Sequence, residues 1–376
     1  MVRWLSGSIP LVIAINDLKR ELAPIRSDLD AALARVLDSG WFALGEELKC
    51  FEREFAQFLG GGHLAGVASG TDALELALRA LDIGPGDTVI TAANAGGYAS
   101  TAILACGARP VYVDIDPDSG LIGPESLGDD VLSSATAIIV THMFGRMVDM
   151  PALTDLARTA ETAIVEDCAQ AHGARLADRA AGSWGDMACF SFYPTKNLGA
   201  LGDAGAVFST NEERIERVRC LRQYGWCDKY VHELPGGRNS RLDEIQAACL
   251  RARLPGLEAS NQRRRVIGQR YQDGIANPRI VVPQRPNDAS DVVHLFPVLC
   301  EQRRALMEHL REEGIQTAIH YPVPDHHQPA WKSLFAGLSL PNTEQRAKQI
   351  LTLPCHGALT DPEIDHVIDA CNRFNA

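Results

Sequence analysis

Apolar positions change their spacing along this chain, and the changes mark its elements. Leu29, Ala32, Leu33, Val36 and Leu37 recur at three- and four-residue intervals. That spacing predicts an amphipathic helix, with Pro24 suited to its first turn and Gly40 to its end. Phe51, Phe55, Phe58 and Leu59 repeat the pattern with charged residues between them, predicting a second helix whose aromatics pack along one face. A third run, from Ala73 to Leu81, follows the small-residue turn Ala68-Ser69-Gly70-Thr71-Asp72 and stops at Gly84-Pro85-Gly86-Asp87. A turn of this kind presents free amides and the positive end of a helix dipole. It suits a phosphate, with the Ser69 and Thr71 hydroxyls as further donors, and it equally suits plain N-capping.

From residue 88 the pattern becomes one of short β-rich runs, at 88–92, 110–115, 137–141, 163–167, 187–192 and 206–208, separated by helical or turn segments. This alternation predicts an α/β protein with a largely parallel sheet covered on both faces. Ligands of such sheets collect at the carboxyl ends of the strands. Past Arg219, loops at 224–226 and 235–239 lead into a helix at 242–254, a strand at 292–299, a helix at 303–313 and a last helix at 362–374. The expected division is an N-terminal segment with a large domain over 1–245, and a smaller α+β domain over 246–376. The apolar run 9–15 is broken by Pro10 and too short to span a bilayer, so it is expected to be the chain's entry into the fold.

Composition narrows the function classes. A chain of 376 residues is long enough for two domains. Its net charge of -12 and pI near 5.4 speak against a general nucleic-acid binder, so an anionic ligand must find a local basic patch. The ten cysteines contain no CxxC pair, which argues against a zinc ribbon or a disulfide framework and fits reduced thiols in a cytoplasm. No GxGxxG follows the first strands and no GxxxxGK[ST] occurs, so dinucleotide and P-loop readings lack support.

Two residues carry candidate chemistry. The run 189–199 brings Lys196 out of an apolar strand into a polar turn, where Pro194 cannot extend the ladder and Gly199, Gly202 and Gly205 allow tight backbone paths. A primary amine in a partly dry site loses preference for its charged form and can condense with an aldehyde; the alternative is a solvated loop lysine. Asp167 closes the run 163–167. A buried carboxylate there needs a partner, and a capping amide, an arginine or a protonated pyridine nitrogen would each serve.

Five ordered segments give these pieces a context. They are 68–74, 165–174 (Val165-Glu166-Asp167-Cys168-Ala169-Gln170 onward), 191–199 (Ser191-Phe192-Tyr193-Pro194-Thr195-Lys196-Asn197-Leu198-Gly199), 237–248 (Gly237-Arg238-Asn239-Ser240-Arg241-Leu242-Asp243 onward) and His320-Tyr321-Pro322-Val323-Pro324. Together they resemble the pyridoxal 5'-phosphate sugar aminotransferases of the DegT/DnrJ/EryC1/StrS family, within fold type I, over almost the whole chain. The resemblance implies that Lys196 carries the cofactor, that Asp167 partners its pyridine nitrogen, and that Gln170 lies near its phenolic oxygen. It further implies that Gly70, Thr71 and Ser191 hold the phosphate, and that Asn239 reaches the phosphate of the neighbouring subunit in a homodimer with shared sites. Tyr193, Lys229, His320 and Tyr321 become candidates for the sugar nucleotide. One stretch departs from the family pattern: Thr91-Ala92-Ala93-Asn94-Ala95-Gly96-Gly97-Tyr98 replaces a proline-rich strand end and is longer by about two residues, in a segment where loop lengths vary. Tyr98 is then the residue expected to stack on the cofactor ring.

The activity implied is transfer of an amino group from an amino acid, glutamate, to a keto group on a nucleotide-linked deoxysugar, for glycan, O-antigen or natural-product biosynthesis. Dehydratase relatives carry histidine where Lys196 stands. A PLP-binding regulator without turnover is the rival from another class, and no DNA-binding appendage accompanies it. Members acting at C3 commonly carry Asn-Ser-Arg-Leu-Asp before the long helix, as 239–243 do here, whereas many acting at C4 have an aromatic after the Asn. The expected substrate is a 3-keto-6-deoxyhexose linked to a nucleotide diphosphate such as dTDP, with the 4-keto isomer as the alternative. Neither a membrane nor nucleic acid is an expected partner.

Overall fold

The computed structural model describes residues 12–375. Residues 9–11 of the expected entry run lie outside the described residues, while Ile13 is buried and bridges to Ile315. Pro24 sits in a single 3-10 turn, Ala23–Ile25, leading into helix α1, Arg26–Ser39, which Gly40 ends in a left-handed conformation (φ 63°). Helix α2, Glu46–Phe58, buries Leu48, Phe51 and Phe55, the spacing that predicted it.

A seven-stranded sheet follows, from β1 (His63–Val67), β2 (Thr88–Ala92), β3 (Arg109–Val113), β4 (Ala137–Thr141), β5 (Ala163–Asp167), β6 (Met187–Ser191) and β7 (Gly205–Ser209). Its spatial order is β1-β7-β6-β5-β4-β2-β3. The pairs on either side of β7 are antiparallel and the other four are parallel, so β7 alone runs against the rest. Helices α3 (Gly70–Ala80), α4 (Tyr98–Ala105), α5 (Met150–Thr159) and α6 (Glu212–Leu221) connect the strands and continue beyond them.

Alternation along each strand feeds two cores. Phe190 and Ile164 join Phe51, Phe55 and Phe192 on one face, while Cys189 and Val165 join Leu74, Leu76, Leu78 and Ile103 on the other. The Phe55 ring meets Phe190 and Phe192 edge-on at 5.1 and 5.4 Å, and truncating so buried an aromatic to alanine costs about 3–5 kcal/mol. This core is the platform on which the end of β6 rests.

Beyond the sheet, the hairpin of β8 (Trp226–Asp228) and β9 (Val231–His232) projects from the large domain. Helix α7, Glu244–Arg253, packs on α1 and α2, and the Glu244 carboxylate accepts the amides of Gly45, Glu47 and Leu48 at the start of α2. The expected division at 245/246 falls in the first turn of this helix. Along α8, Leu257–Gly274, the buried face passes to a separate C-terminal core that holds Ile267, Tyr271, Phe296, Leu306, Leu351 and Val367. That core lies among β10 (Phe296–Leu299), α9 (Arg303–Glu312), α10 (Pro341–Gln349), β11 (Ile350–Leu353) and α11 (Asp361–Arg373), with β10 and β11 paired antiparallel.

Two expectations are corrected. The strand expected at 292–299 forms only at Phe296–Leu299, because the Val292 and His294 amides donate to the Gly145 and Phe144 carbonyls and dock this half on the large domain. The cysteines are not all unpaired thiols: Cys220 and Cys227 form a disulfide, the turn after α6 having brought their Cα atoms to 4.8 Å. The other eight are free and buried. Among the described residues no helix is long and apolar enough to cross a membrane.

Candidate active site

The register of the sheet gathers strand ends at one edge. Thr141 is opposite Asp167, and Ser191 and Val67 are both opposite Gly205. Out of β1 the chain turns into α3, where Ser69 Oγ accepts the Asp72 amide at 3.1 Å. Ser69 is therefore the cap, which leaves the amides of the first turn facing the cleft. A Cβ at Gly70 would come within 2.5 Å of Ser191 Cβ, so only glycine lets this turn approach the end of β6.

At the end of β5, two adjacent carboxylates are parted by the pleat. Glu166 turns inward, where it accepts the Gly182, Trp184 and Gly185 amides at 2.7–2.8 Å and pairs with His142 Nε2 at 3.0 Å. Asp167 turns to the cleft, accepting the Ala169 amide at 3.1 Å and the Thr141 hydroxyl at 3.3 Å. Burial raises its pKa, against the Ala169 amide and the charge of Lys196. Among the described residues no cation is within ion-pairing distance of it.

Lys196 follows the turn closed by its own amide on the Tyr193 carbonyl at 2.8 Å. Its amine faces the open cleft yet is crowded by protein, and that burial pushes its pKa down to about 8, with Asp167 acting in the opposite direction. Its neighbour Asn197 is locked from behind: Nδ2 donates to Asn261 Oδ1 at 2.8 Å and to the Val292 carbonyl at 3.1 Å, while Oδ1 meets His294 Nδ1 at 3.0 Å. The lysine thus stands on a buried joint between large-domain and C-terminal elements.

Gly70, Thr71, Tyr98, Asp167, Gln170, Ser191, Tyr193, Lys196, His320 and Tyr321 line one cleft of about 390 Å³. Gln170 Oε1 accepts the Phe144 amide at 2.6 Å, which aims its Nε2 toward the Tyr321 hydroxyl at 3.4 Å. His320 is steadied by Thr352 Oγ1 at 2.8 Å, and the Tyr98 and Tyr321 rings meet edge-on at 6.2 Å. Asn239 and Lys229 lie outside this cleft: Asn239 is exposed, bridging to Gln223, and Lys229 lies over the Tyr230 ring at the exposed hairpin. Thr141 and Asp203 also line the cleft and escaped the sequence reading. Thr141 could have been found as the last residue of the expected strand 137–141; Asp203, in a glycine-flanked loop, gave no signal.

A phosphorylated pyridine aldehyde fits this donor set. The glycine-opened turn offers amides to a phosphate, a buried carboxylate without an ion pair suits a ring cation, and an amine of lowered pKa stands in the same cleft. The metal-like grouping of His142, Glu166 and Cys168 lies away from this chemistry, since Glu166 is already satisfied by three amides and the imidazole.

Comparisons with known proteins point to one family. Residues 24–372 match the DegT/DnrJ/EryC1/StrS aminotransferase family. The chain is 46% identical over 364 residues to the dTDP-3-amino-3,4,6-trideoxy-alpha-D-glucose transaminase of Streptomyces venezuelae, covering 95% of each chain. Its fold is similar to the crystal structure of S. venezuelae DesV in complex with a ketimine intermediate, with a TM-score of 0.92 at 44% identity over 96% of this chain and 98% of that one. It is also similar to NtdA from Bacillus subtilis with bound cofactor PMP, with a TM-score of 0.88 at 31% identity over 98% of this chain and 85% of that one.

Proposed function

The chain belongs to the DegT/DnrJ/EryC1/StrS aminotransferase family and is a pyridoxal 5'-phosphate-dependent sugar aminotransferase, and from that premise we propose that it aminates C3 of a 3-keto-6-deoxyhexose carried on dTDP, with glutamate as donor. The observation that carries the C3 reading is Ser240. It is fully buried, accepts the Ala68 amide at 3.1 Å and donates to Asp72 Oδ2 at 2.6 Å. An aromatic side chain could not occupy that space, so the residue that commonly accompanies C4 amination has no room here. The 3-amino sugar in the name of the S. venezuelae relative supports the same carbon.

In this reading the α3 amides, Thr71 and Ser191 would hold the phosphate, Gln170 would lie near the phenolic oxygen, and Tyr98 would face the ring. Asp167 would hold the pyridine nitrogen protonated, a task that suits a buried carboxylate without a cation of its own. Bound there, the cofactor supplies an electron sink for a carbanion at the amino-bearing carbon. Lys196 Nζ, with a pKa near 8, would take the proton from the donor's α-carbon and, in the return half, deliver one to the sugar carbon. Tyr193, His320 and Tyr321 orient the sugar and shield its carbonyl from water. Asn239 and Lys229, exposed on this chain, act on a second copy in a homodimer, Asn239 toward its phosphate and Lys229 toward its nucleotide. Eight free, buried thiols against the single Cys220–Cys227 pair support a cytoplasmic setting.

The test is product NMR after incubation with glutamate and each keto isomer of a dTDP-6-deoxyhexose, with 2-oxoglutarate followed alongside. The expected result is an amine at C3 and stoichiometric 2-oxoglutarate. Efficient amination at C4 with the 3-keto sugar inert would overturn the assignment.

A further inference from the structure

Helix α4 (Tyr98–Ala105) begins without a cap of its own, because the residue before it is Gly97, at φ 82°, which has no side chain to offer. An acceptor reaches its first turn from the C-terminal part of the chain instead. Asp325 is fully buried, and its Oδ2 accepts the Ser100 hydroxyl at 2.5 Å. Ser100 Oγ is in turn 2.8 Å from the Tyr112 hydroxyl, which completes a chain of three polar groups. The Gly97 amide lies close enough to the carboxylate to favour its charged form. The Asp325 amide donates to the Ala93 carbonyl at 2.8 Å, so the residue grips the 93–98 loop at both ends.

The loop has little freedom to shift. A Cβ at Gly96 would meet the Tyr321 ring at 3.0 Å and one at Gly97 would meet the Trp331 ring at 3.1 Å, so both glycines lie flat against the segment that carries Asp325. A buried carboxylate is an expensive choice for this position. Burial raises its pKa to about 6, its Oδ1 has no partner, and no cationic side chain among the described residues pairs with it. An apolar side chain would fill the same volume at lower cost, so the carboxylate has a local task.

We propose that Asp325 is a positioning residue for Tyr98: it holds the first turn of α4 from across the fold through the Ser100 hydroxyl and fixes the 93–98 loop, so that the segment bearing His320 and Tyr321 sets how Tyr98 enters the cleft. This rests on the reading above that Tyr98 faces the cofactor ring. A displaced Tyr98 loosens both the cofactor and the sugar subsite while leaving Lys196 and Asp167 in place, so affinity suffers before the chemical step does.

The experiment titrates full-length apo protein with pyridoxal phosphate and measures KM and kcat for the keto sugar. Asp325→Ala is expected to weaken cofactor affinity about tenfold, the equivalent of about 1.4 kcal/mol and within the range of a lost buried hydrogen bond. KM should rise by more than kcat falls. Asp325→Asn keeps an acceptor oxygen of the same shape and is expected to remain within about twofold of wild type by the same scale. Ser100→Ala, a milder change that serves if Asp325→Ala does not fold, should move affinity in the same direction. Asp149→Ala removes the cap of the remote helix α5, where Asp149 Oδ1 accepts the Ala152 amide at 3.2 Å, and should lower Tm without altering cofactor affinity. Wild-type affinity in both Asp325→Ala and Ser100→Ala, or an Asp325→Asn as weak as Asp325→Ala, overturns the proposal. Tyr98→Leu separates the two readings. If it weakens binding and the Asp325 variant does not, only the positioning role falls; if Tyr98→Leu has no effect, the reading of Tyr98 falls and takes the positioning role with it.

Discussion

Ser240 and Asp72 are joined by a 2.6 Å hydrogen bond that ties the loop before α7 to the first turn of α3. Arg238 reinforces the link through Asp72 and Glu75. Asn239, between these two anchored residues, is exposed and lies outside the cleft of its own chain. The arrangement ties the turn that opens α3 to the loop before α7 while leaving Asn239 exposed.

Shared sites are therefore expected in a dimer. Lys196→Ala and an inactive Asn239 variant, each dead alone, should regain activity when co-expressed, because one of the two sites in a heterodimer carries both intact residues. Proven subunit mixing with no recovery would count against sharing.

Lys196→Ala is expected to fold, since Asn197 and not the lysine amine holds the buried joint with Asn261 and His294. Turnover should fall by at least about a hundredfold, the lower range for loss of a general acid-base group. Borohydride reduction of wild type followed by peptide mapping should find the cofactor on Lys196, and a label on another lysine would refute the role.

The amine of Lys196 also makes a prediction about pH. Its pKa in the folded apo protein is about 8, against 10.5 for an ordinary lysine, so between these values the unfolded chain holds a proton that the folded chain has released. The contribution of this amine to the stability of the apo protein should accordingly rise with pH through this window, by the sign of the proton linkage. Thermal denaturation of wild type and Lys196→Met at pH 8 and pH 10 checks it. The difference between them should favour wild type more at pH 10 than at pH 8, and a difference that does not change with pH would show that the amine is not desolvated.

Asp167→Asn should retain part of the cofactor affinity and lose about two to three orders of magnitude in kcat, the scale seen when a preorganised electrostatic partner is removed. A neutral amide preserves the contacts with Ala169 and Thr141 but cannot balance a ring cation. Near-normal turnover in this variant would remove Asp167 from the site.

Much of this protein was legible in its sequence because local periodicity and turn chemistry act over short stretches. The strands at 88–92, 137–141 and 163–167 and the helix ended by Gly40 follow from apolar spacing and glycine geometry alone. The segments around Asp167 and Lys196 gave their own motifs, and those motifs carried the family and the cofactor. What a linear pattern could not contain is the pairing of distant groups. The sheet order set β7 between β1 and β6, antiparallel to the other six strands, and the pleat decided that Glu166 turns to the core while Asp167 turns to the cleft. The docking of 292–294 on Gly145 and Phe144 cut short a strand that its residues favoured, because amides satisfied across domains no longer seek a ladder. Proximity after α6 made a disulfide of two cysteines with no motif between them. Asp325 lies in none of the five family segments, and only the tertiary fold buried it against the first turn of Tyr98's helix, since a contact from across the fold is set by where the chain returns and not by what precedes the helix.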